Sequence, residues 1–234
     1  MERFFDQDGS LTNGGVWDLG GWEMKIGIGL WKTDGTPTGK AYSTSITTTA
    51  TVCGVYADCS KQITRMTPNK NPNTIYVIGA DMNVPAKLEE SNVVHGNHAD
   101  RINLVNGEPY YLPASFRADT ASFAYTFPET EAGTGWHAFT MPFRVDSIFL
   151  DEEPVSLNDT LNHFWIYEFS FENNNGEPTF KPATTLRSGT PYIIAGDTQM
   201  AGRTLVFHAL NVHFYKTGTD KMLVTSQNFK FSGN

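Results

Sequence analysis

The sequence predicts an all-β protein, built as an antiparallel β-sandwich or sandwiches with Greek-key or jelly-roll-like connections and little helix. Short runs of β-branched and aromatic residues recur along the chain, which is typical of strands. They are separated by turn formers, among them 21 Gly and 12 Pro. Charged residues make up only 18% of the chain, whereas 16 residues are Phe, a balance that favours sheets over surface helices.

The strand-like runs are short and regularly spaced, as in sandwiches and barrels. The clearest hairpin joins residues 164–171 to 178–180 through a turn that ends in Asn175 and Gly176, a pair that favours positive φ. Helical propensity is good only over residues 85–91, which is too short for more than one turn. The other predicted strands are residues 25–31, 44–52, 75–78, 191–195, 204–209 and 229–231.

One segment reads as a linker. Residues 67–73 contain two prolines and three asparagines, which resist regular structure. We therefore expect a boundary there, between an N-terminal β region, residues 1–66, that carries the binding part, and a sandwich-like module, residues 67–234. Whether residues 1–66 form their own sheet or complete the second one stays open at this stage.

Charge and hydropathy exclude two classes of partner. The formal net charge is −8, with a pI near 5.2, and this opposes binding to phosphate backbones. No run approaches the roughly 20 apolar residues that span a bilayer. The opening residues also lack the apolar core of a secretion signal.

The two cysteines, Cys53 and Cys59, are six positions apart. A small disulfide loop is geometrically feasible, and two buried thiols are an equal alternative. Neither cysteine lies in a recognisable nucleophile motif, and no further ligands stand nearby for zinc, so we expect neither a metal nor another cofactor.

Acidic and histidine clusters offer weak signals for chemistry. Paired carboxylates hydrolyse glycosidic bonds across a cleft, but Asp151, Glu152 and Glu153 precede a proline and are better explained as a solvated turn. His95 and His98 could share a metal with Asp100, although no helix is predicted to hold both imidazoles on one side, and a surface pair on a loop fits better.

Three further histidines, His163, His208 and His213, are most simply explained as partly buried side chains bonded to backbone. No nucleophile elbow, zinc-protease helix motif or phosphate-binding loop occurs. In the segment 136–143, alternation places His137, Phe139 and Met141 on one face of a core strand and Trp136 on the other. An enzyme is therefore not expected.

Tryptophans near the start carry the strongest binding signal. Trp17, Asp18 and Trp22 lie in one short segment, with Trp31 and Tyr42 beyond it. Aromatic faces beside carboxylates can stack on sugar rings while polar groups bind the hydroxyls. The simpler alternative is that these rings fill or cap the core of the domain.

Residues 67–233 resemble a C-terminal module of large secreted and cell-surface proteins of Bacteroidota. The motifs that carry this resemblance are Thr67-Pro68-Asn69, residues 73–79, residues 92–104, residues 106–113, Phe116-Arg117-Ala118-Asp119, Gly135-Trp136, Met141-Pro142-Phe143, residues 190–195 and residues 229–233.

The resemblance implies an extracellular β-rich unit, found beside leucine-rich-repeat, adhesin-like and glycan-handling regions, with no catalytic residues to transfer. With no secretion signal, the chain is expected to be a fragment of a longer protein, whose other domains are its neighbours. The leading hypothesis is a non-catalytic binding or adhesion module for glycan or host protein. The alternatives are a purely structural spacer or terminal module and, more remotely, a glycan-active hydrolase.

Overall fold

The computed structural model describes residues 68–81, 83–85, 87–112, 114–129, 133, 135–157 and 159–216, and outside them only the strands at 28–32, 37–41, 45–46, 52–57, 65–66, 223–225 and 230–232. Within this part the chain is strands, turns and loops, with one 3-10 turn at Thr198–Met200. The all-β prediction is confirmed. No helix in these ranges is long and apolar enough to cross a membrane.

The strands, in chain order, are β1 Ile28–Lys32, β2 Pro37–Ala41, β3 Ser45–Ile46, β4 Val52–Ala57, β5 Arg65–Met66, β6 Ile75–Ile78, β7 Asn92–His95, β8 His98–Val105, β9 Phe116–Thr126, β10 His137–Thr140, β11 Ser147–Leu150, β12 Glu153–Val155, β13 Phe164–Glu172, β14 Pro178–Pro182, β15 Pro191–Gly196, β16 Thr204–Phe214, β17 Leu223–Thr225 and β18 Lys230–Ser232.

The chain forms two compact units. Unit 1 contains residues 1–103 and 107–118, and unit 2 contains residues 104–106 and 119–234. These limits differ from the boundary expected near residue 67. In unit 1, β4 pairs with β6, so strands on both sides of residue 67 share one sheet.

The sheet of unit 1 is mixed rather than purely antiparallel. Its strand order is β2, β1, β4, β6, β7 and β8, and the pairs β4 with β6 and β6 with β7 are parallel. The central strand β6 is buried along its whole length, as a strand covered on both faces requires. Cys53 lies in β4, but Cys59 lies outside the described residues, so the disulfide stays a prediction.

The segment expected to be a linker is ordered in unit 1, with Asn69, Asn71 and Asn73 buried while Pro68, Lys70 and Pro72 are exposed. The Asn69 side chain accepts a hydrogen bond from the Asn71 amide at 3.0 Å, and the Asn71 side chain accepts one from Asn73 at 2.8 Å. The Tyr76 hydroxyl in turn accepts a bond from the Asn69 amide at 2.6 Å. Side chains that bond to backbone two residues onward can order a chain without regular structure.

Unit 2 is a β-sandwich. One sheet has the order β12, β11, β16 and β9, and the other has the order β10, β15, β13 and β14. The chain passes repeatedly from one sheet to the other, so strands distant in sequence become neighbours, as Greek-key connections require. Phe139 of the second sheet contacts Tyr125 and Phe207 of the first, with ring centroids 5.8 and 6.0 Å apart.

The hairpin predicted around residues 172–176 is present. β13 pairs with β14, Gly176 has φ of 78°, and the Asn173 side chain accepts bonds from the amides of Asn175 and Glu177. The described residues of the segment 85–91, which are 85 and 87–91, form isolated turns, such as the bond from the Ser91 amide to the Leu88 carbonyl at 2.8 Å. No helix occurs among these described residues.

Candidate functional site

The outer face of the sheet β10-β15-β13-β14 exposes aromatic rings. Trp136 is 53% exposed and Trp165 is 43% exposed, and the half-buried Tyr167 lies beside them. We call these three residues the aromatic face. Exposed large rings that lie together, rather than singly, are typical of interaction surfaces.

Strand alternation explains why β13 presents two of these rings. Phe164 and Ile166 are both 3% exposed and belong to the core. Because successive side chains of a strand point to opposite faces, Trp165 and Tyr167 lie on the outside. The strand is aromatic on both faces, so the sequence alone does not say which face is buried.

Trp136 reaches the aromatic face from the loop before β10. Gly135 has φ of 68°, a conformation that favours glycine, and it turns the chain into the strand. The ring of Trp136 contacts that of Tyr167 edge to face, with centroids 5.2 Å apart and an angle of 61° between planes. This contact fixes Trp136 on the outer face of the sheet.

The two tryptophans lie on either side of Ala195. Trp165 is paired with Ala195, and Trp136 precedes His137, which is paired with Ile194. Strands are about 4.8 Å apart, so the backbones of Trp136 and Trp165 are about 10 Å apart. Ala195 between them is only 7% exposed, so the two indole rings and not the strand beneath them form the solvent-facing surface.

A polar cluster of His163, Asp197 and Gln199 lies at the end of the same face. Phe164 is paired with Gly196, which places His163 and Asp197 side by side just beyond the paired strands. Nδ1 of His163 lies 2.7 Å from Oδ2 of Asp197. Oδ1 of Asp197 accepts a bond from the Gln199 amide at 2.8 Å and caps the 3-10 turn.

The charge of Asp197 is stabilised by its neighbours. Desolvation acts to raise the pKa of this carboxyl, but hydrogen bonds from His163 and from the Gln199 backbone, with the attraction of His163, lower the pKa below its ordinary value. A carboxylate accepts from Nδ1–H, which leaves Nε2 of a neutral His163 as an acceptor. The Gln199 side-chain amide lies 3.1 Å from the same Nδ1.

Stacking and hydrogen bonding are therefore combined on one surface. His163 precedes Trp165 by two residues and lies on the same side of the strand, about 7 Å along it. His163 and Asp197 are 40% and 36% exposed, so both can be reached from solvent. Apolar rings beside a few polar groups suit ligands that have both an apolar face and hydroxyls.

The residues that sequence favoured for binding cannot be placed. Trp17, Asp18, Trp22 and Tyr42 lie outside the described residues, and Trp31 is described only as part of the backbone of β1. Their role stays a prediction. Sequence reasoning placed Trp136 on the face opposite Phe139, as the structure has it, but it missed Trp165 and the partnership of His163 with Asp197.

The acidic cluster forms the turn between β11 and β12. Asp151 and Glu152 have φ of 51° and 71°, which is a two-residue hairpin turn, and both are exposed. The Arg203 guanidinium binds the Asp151 carboxylate. The arrangement fits the expectation of a solvated turn.

His95 and His98 are a cross-strand pair, which corrects their placement on a loop. They face each other across the two-residue turn between β7 and β8, so a hairpin brings them together without a helix. His98 Nε2 lies 3.7 Å from Asp100 Oδ1, and all three side chains are exposed. They line an open cleft of about 510 Å³ in unit 1, together with Val84, Leu88 and Arg101.

The other histidines also depart from the expected bonding to backbone. His163 is bonded to a carboxylate. His213 is exposed and stacks on Tyr215, with centroids 4.5 Å apart, while His208 meets Phe149 edge to face.

No protein-family model matches the chain, and no curated protein or solved structure matches it either.

Proposed function

We propose that the protein is a non-catalytic binding module of a bacterial surface protein, and that it holds a carbohydrate chain on the aromatic face. One observation carries this proposal: Trp136 and Trp165 are exposed on either side of Ala195, with polar side chains at the end of the same face. The extracellular location and the bacterial parent protein rest on the resemblance of residues 67–233.

Sugar rings suit such a surface because their C–H faces stack on aromatic rings while their hydroxyls point sideways to polar groups. An exposed indole presents apolar surface to water, which is unfavourable. A sugar that stacks on the ring removes that surface from water and adds a direct contact between the two rings. The ring planes of Trp136 and Tyr167 are inclined by 61°, which does not make a flat platform. A single soluble polysaccharide chain fits this uneven surface better than the flat surface of a crystalline polysaccharide does.

Calorimetric titration with soluble hexasaccharides of β-1,4-linked glucose, xylose and mannose tests the proposal. We expect at least one of them to bind, and Trp136→Ala and Trp165→Ala each to weaken that binding about tenfold. Tyr215→Ala is the matched control, since Tyr215 is also exposed in unit 2 but stacks on His213 instead. Its affinity should equal that of the parent protein.

Two results would overturn the proposal. One is that no glycan binds the parent protein on a broad glycan array, which would favour a structural spacer or terminal module. The other is that a glycan binds with unchanged affinity after both tryptophan substitutions, which would place the site elsewhere in the chain.

A further inference from the structure

We infer that His163 and Asp197 bind hydroxyls of the sugar that stacks on Trp165, and that the site therefore selects neutral glycans over anionic ones. This inference rests on the proposed function and names its substrate class. The geometry behind it is the polar cluster at the end of the aromatic face, where two side chains from different strands meet beside an exposed ring.

Asp197 has acceptor capacity left for a ligand. A carboxylate offers about four acceptor positions. Among the described residues, His163 Nδ1 and the Gln199 amide occupy two of them, and the side chain is 36% exposed. The remaining lone pairs can accept from sugar hydroxyls.

His163 complements the carboxylate. Its Nδ1 is engaged by Asp197, and no described residue bonds to its Nε2. A ring held through Nδ1 presents Nε2 in a fixed direction, which is how a hydrogen-bonded carboxylate positions imidazoles in functional sites. Nε2 and the Asp197 carboxylate are thus two polar groups for neighbouring hydroxyls.

Charge sets the selectivity. The Asp197 carboxylate is partly exposed at the end of the aromatic face and is ionised at neutral pH, and the whole chain has a net charge of −8. A uronic acid or a sulfate at this position would meet a carboxylate, which costs free energy in partly desolvated surroundings. A hydroxyl donates to the same carboxylate and gains a charge-assisted hydrogen bond.

The test compares the parent protein with Asp197→Asn by calorimetry. Asparagine keeps an oxygen that can cap the Gln199 amide, but it removes the negative charge. It also places an amide N–H donor, in place of a carboxylate oxygen, against Nδ1 of His163. The probes are the neutral hexasaccharides of glucose, xylose and mannose, and oligogalacturonate as the anionic one. Asp146→Asn is the matched control, because the Asp146 carboxylate also accepts a backbone amide bond, from Leu210 at 3.0 Å.

We expect the parent protein to bind a neutral hexasaccharide at least tenfold more tightly than oligogalacturonate. Asp197→Asn should reduce that ratio about tenfold, and His163→Ala should weaken neutral binding by a similar factor. Asp146→Asn should leave both values unchanged. A merely structural role of Asp197 would lower both affinities together and leave their ratio constant.

Failure of the inference can be told apart from failure of the proposed function. If Trp165→Ala loses binding while Asp197→Asn keeps the parent ratio, the aromatic face binds glycan and the inference is wrong. A parent protein that prefers oligogalacturonate would also overturn the inference alone. If neither kind of probe binds the parent protein, both fail.

Discussion

The rings of Trp136 and Tyr167 meet edge to face with centroids 5.2 Å apart, although β15 lies between β13, which carries Tyr167, and β10, which Trp136 immediately precedes. The contact joins a loop residue to the centre of a sheet. Edge-to-face pairs contribute about 0.5–1.5 kcal/mol beyond area burial. The pair therefore holds one exposed indole in place without burying it, which leaves its free face for a ligand.

Substitutions in the core of unit 2 should lower the free energy of unfolding much more than substitutions on the aromatic face. Phe139→Ala removes a ring that is 6% exposed and should cost about 3–5 kcal/mol in the free energy of unfolding. Trp165→Ala should cost about 1 kcal/mol or less, since the ring is half in solvent. Urea denaturation followed by far-ultraviolet circular dichroism measures both. Equal losses would mean that Trp165 is a core residue.

Asp197 should stabilise the folded chain in a pH-dependent way. Its folded pKa is lowered, so its contribution is present above the unfolded value near 3.8 and disappears as the pH falls through the folded pKa. The difference in denaturation midpoint between the parent protein and Asp197→Asn should be present at about pH 6 and should shrink steadily as the pH falls below 3.8. A difference that grows toward acid would contradict the direction of the shift.

The Tyr76 hydroxyl should contribute measurably to the free energy of unfolding through one buried hydrogen bond. It accepts a bond from the buried Asn69 amide at 2.6 Å, so Tyr76→Phe leaves that donor unsatisfied and should cost about 1–3 kcal/mol. Tyr125→Phe is the control, because Tyr125 is as buried a ring but packs chiefly against Phe127 and Phe139. Comparable losses in the two variants would argue against a role of the hydroxyl bond in ordering residues 69–76.

Asn92 should not tolerate aspartate. Its side-chain amide donates to the Pro72 and Asn103 carbonyls, both at 2.9 Å, and its oxygen accepts from the Asn103 amide at 2.6 Å. A carboxylate cannot donate, and it would place a charge in a residue that is only 3% exposed. Asn92→Asp should lower the free energy of unfolding by about 3 kcal/mol at neutral pH. Thermal denaturation checks this, and recovery in acid is expected as the new carboxyl is protonated.

Much of the fold could be predicted because it depends on local patterns. Asn175-Gly176 specified a hairpin turn, and alternation in residues 136–143 placed Phe139 and Trp136 on opposite faces, of which the structure buries the face with Phe139. The described part of the segment expected to be a linker, residues 68–73, is ordered for a physical reason. Asparagines bonding to backbone two residues onward order a chain that lacks regular structure, and their partners at Glu108 and Pro109 lie far along the sequence.

The candidate site could not be predicted in the same way. His163 and Asp197 are 34 positions apart, and only the register of β13 against β15 brings them together. Trp165 lies in a strand that has aromatic residues on both faces. Alternation assigns its side chains to two faces, but it does not say which face is buried. Strand register and sheet partners are long-range properties, which a local pattern does not contain.

The most direct test of the account follows the indole N–H signals of the protein by nuclear magnetic resonance during titration with the best-binding hexasaccharide. The chain has five tryptophans, at positions 17, 22, 31, 136 and 165, so the spectrum is simple, and Trp→Phe variants assign each signal. The account predicts saturable shifts of the Trp136 and Trp165 signals. Shifts confined to Trp17, Trp22 or Trp31 would contradict it and would place the glycan site in the N-terminal region.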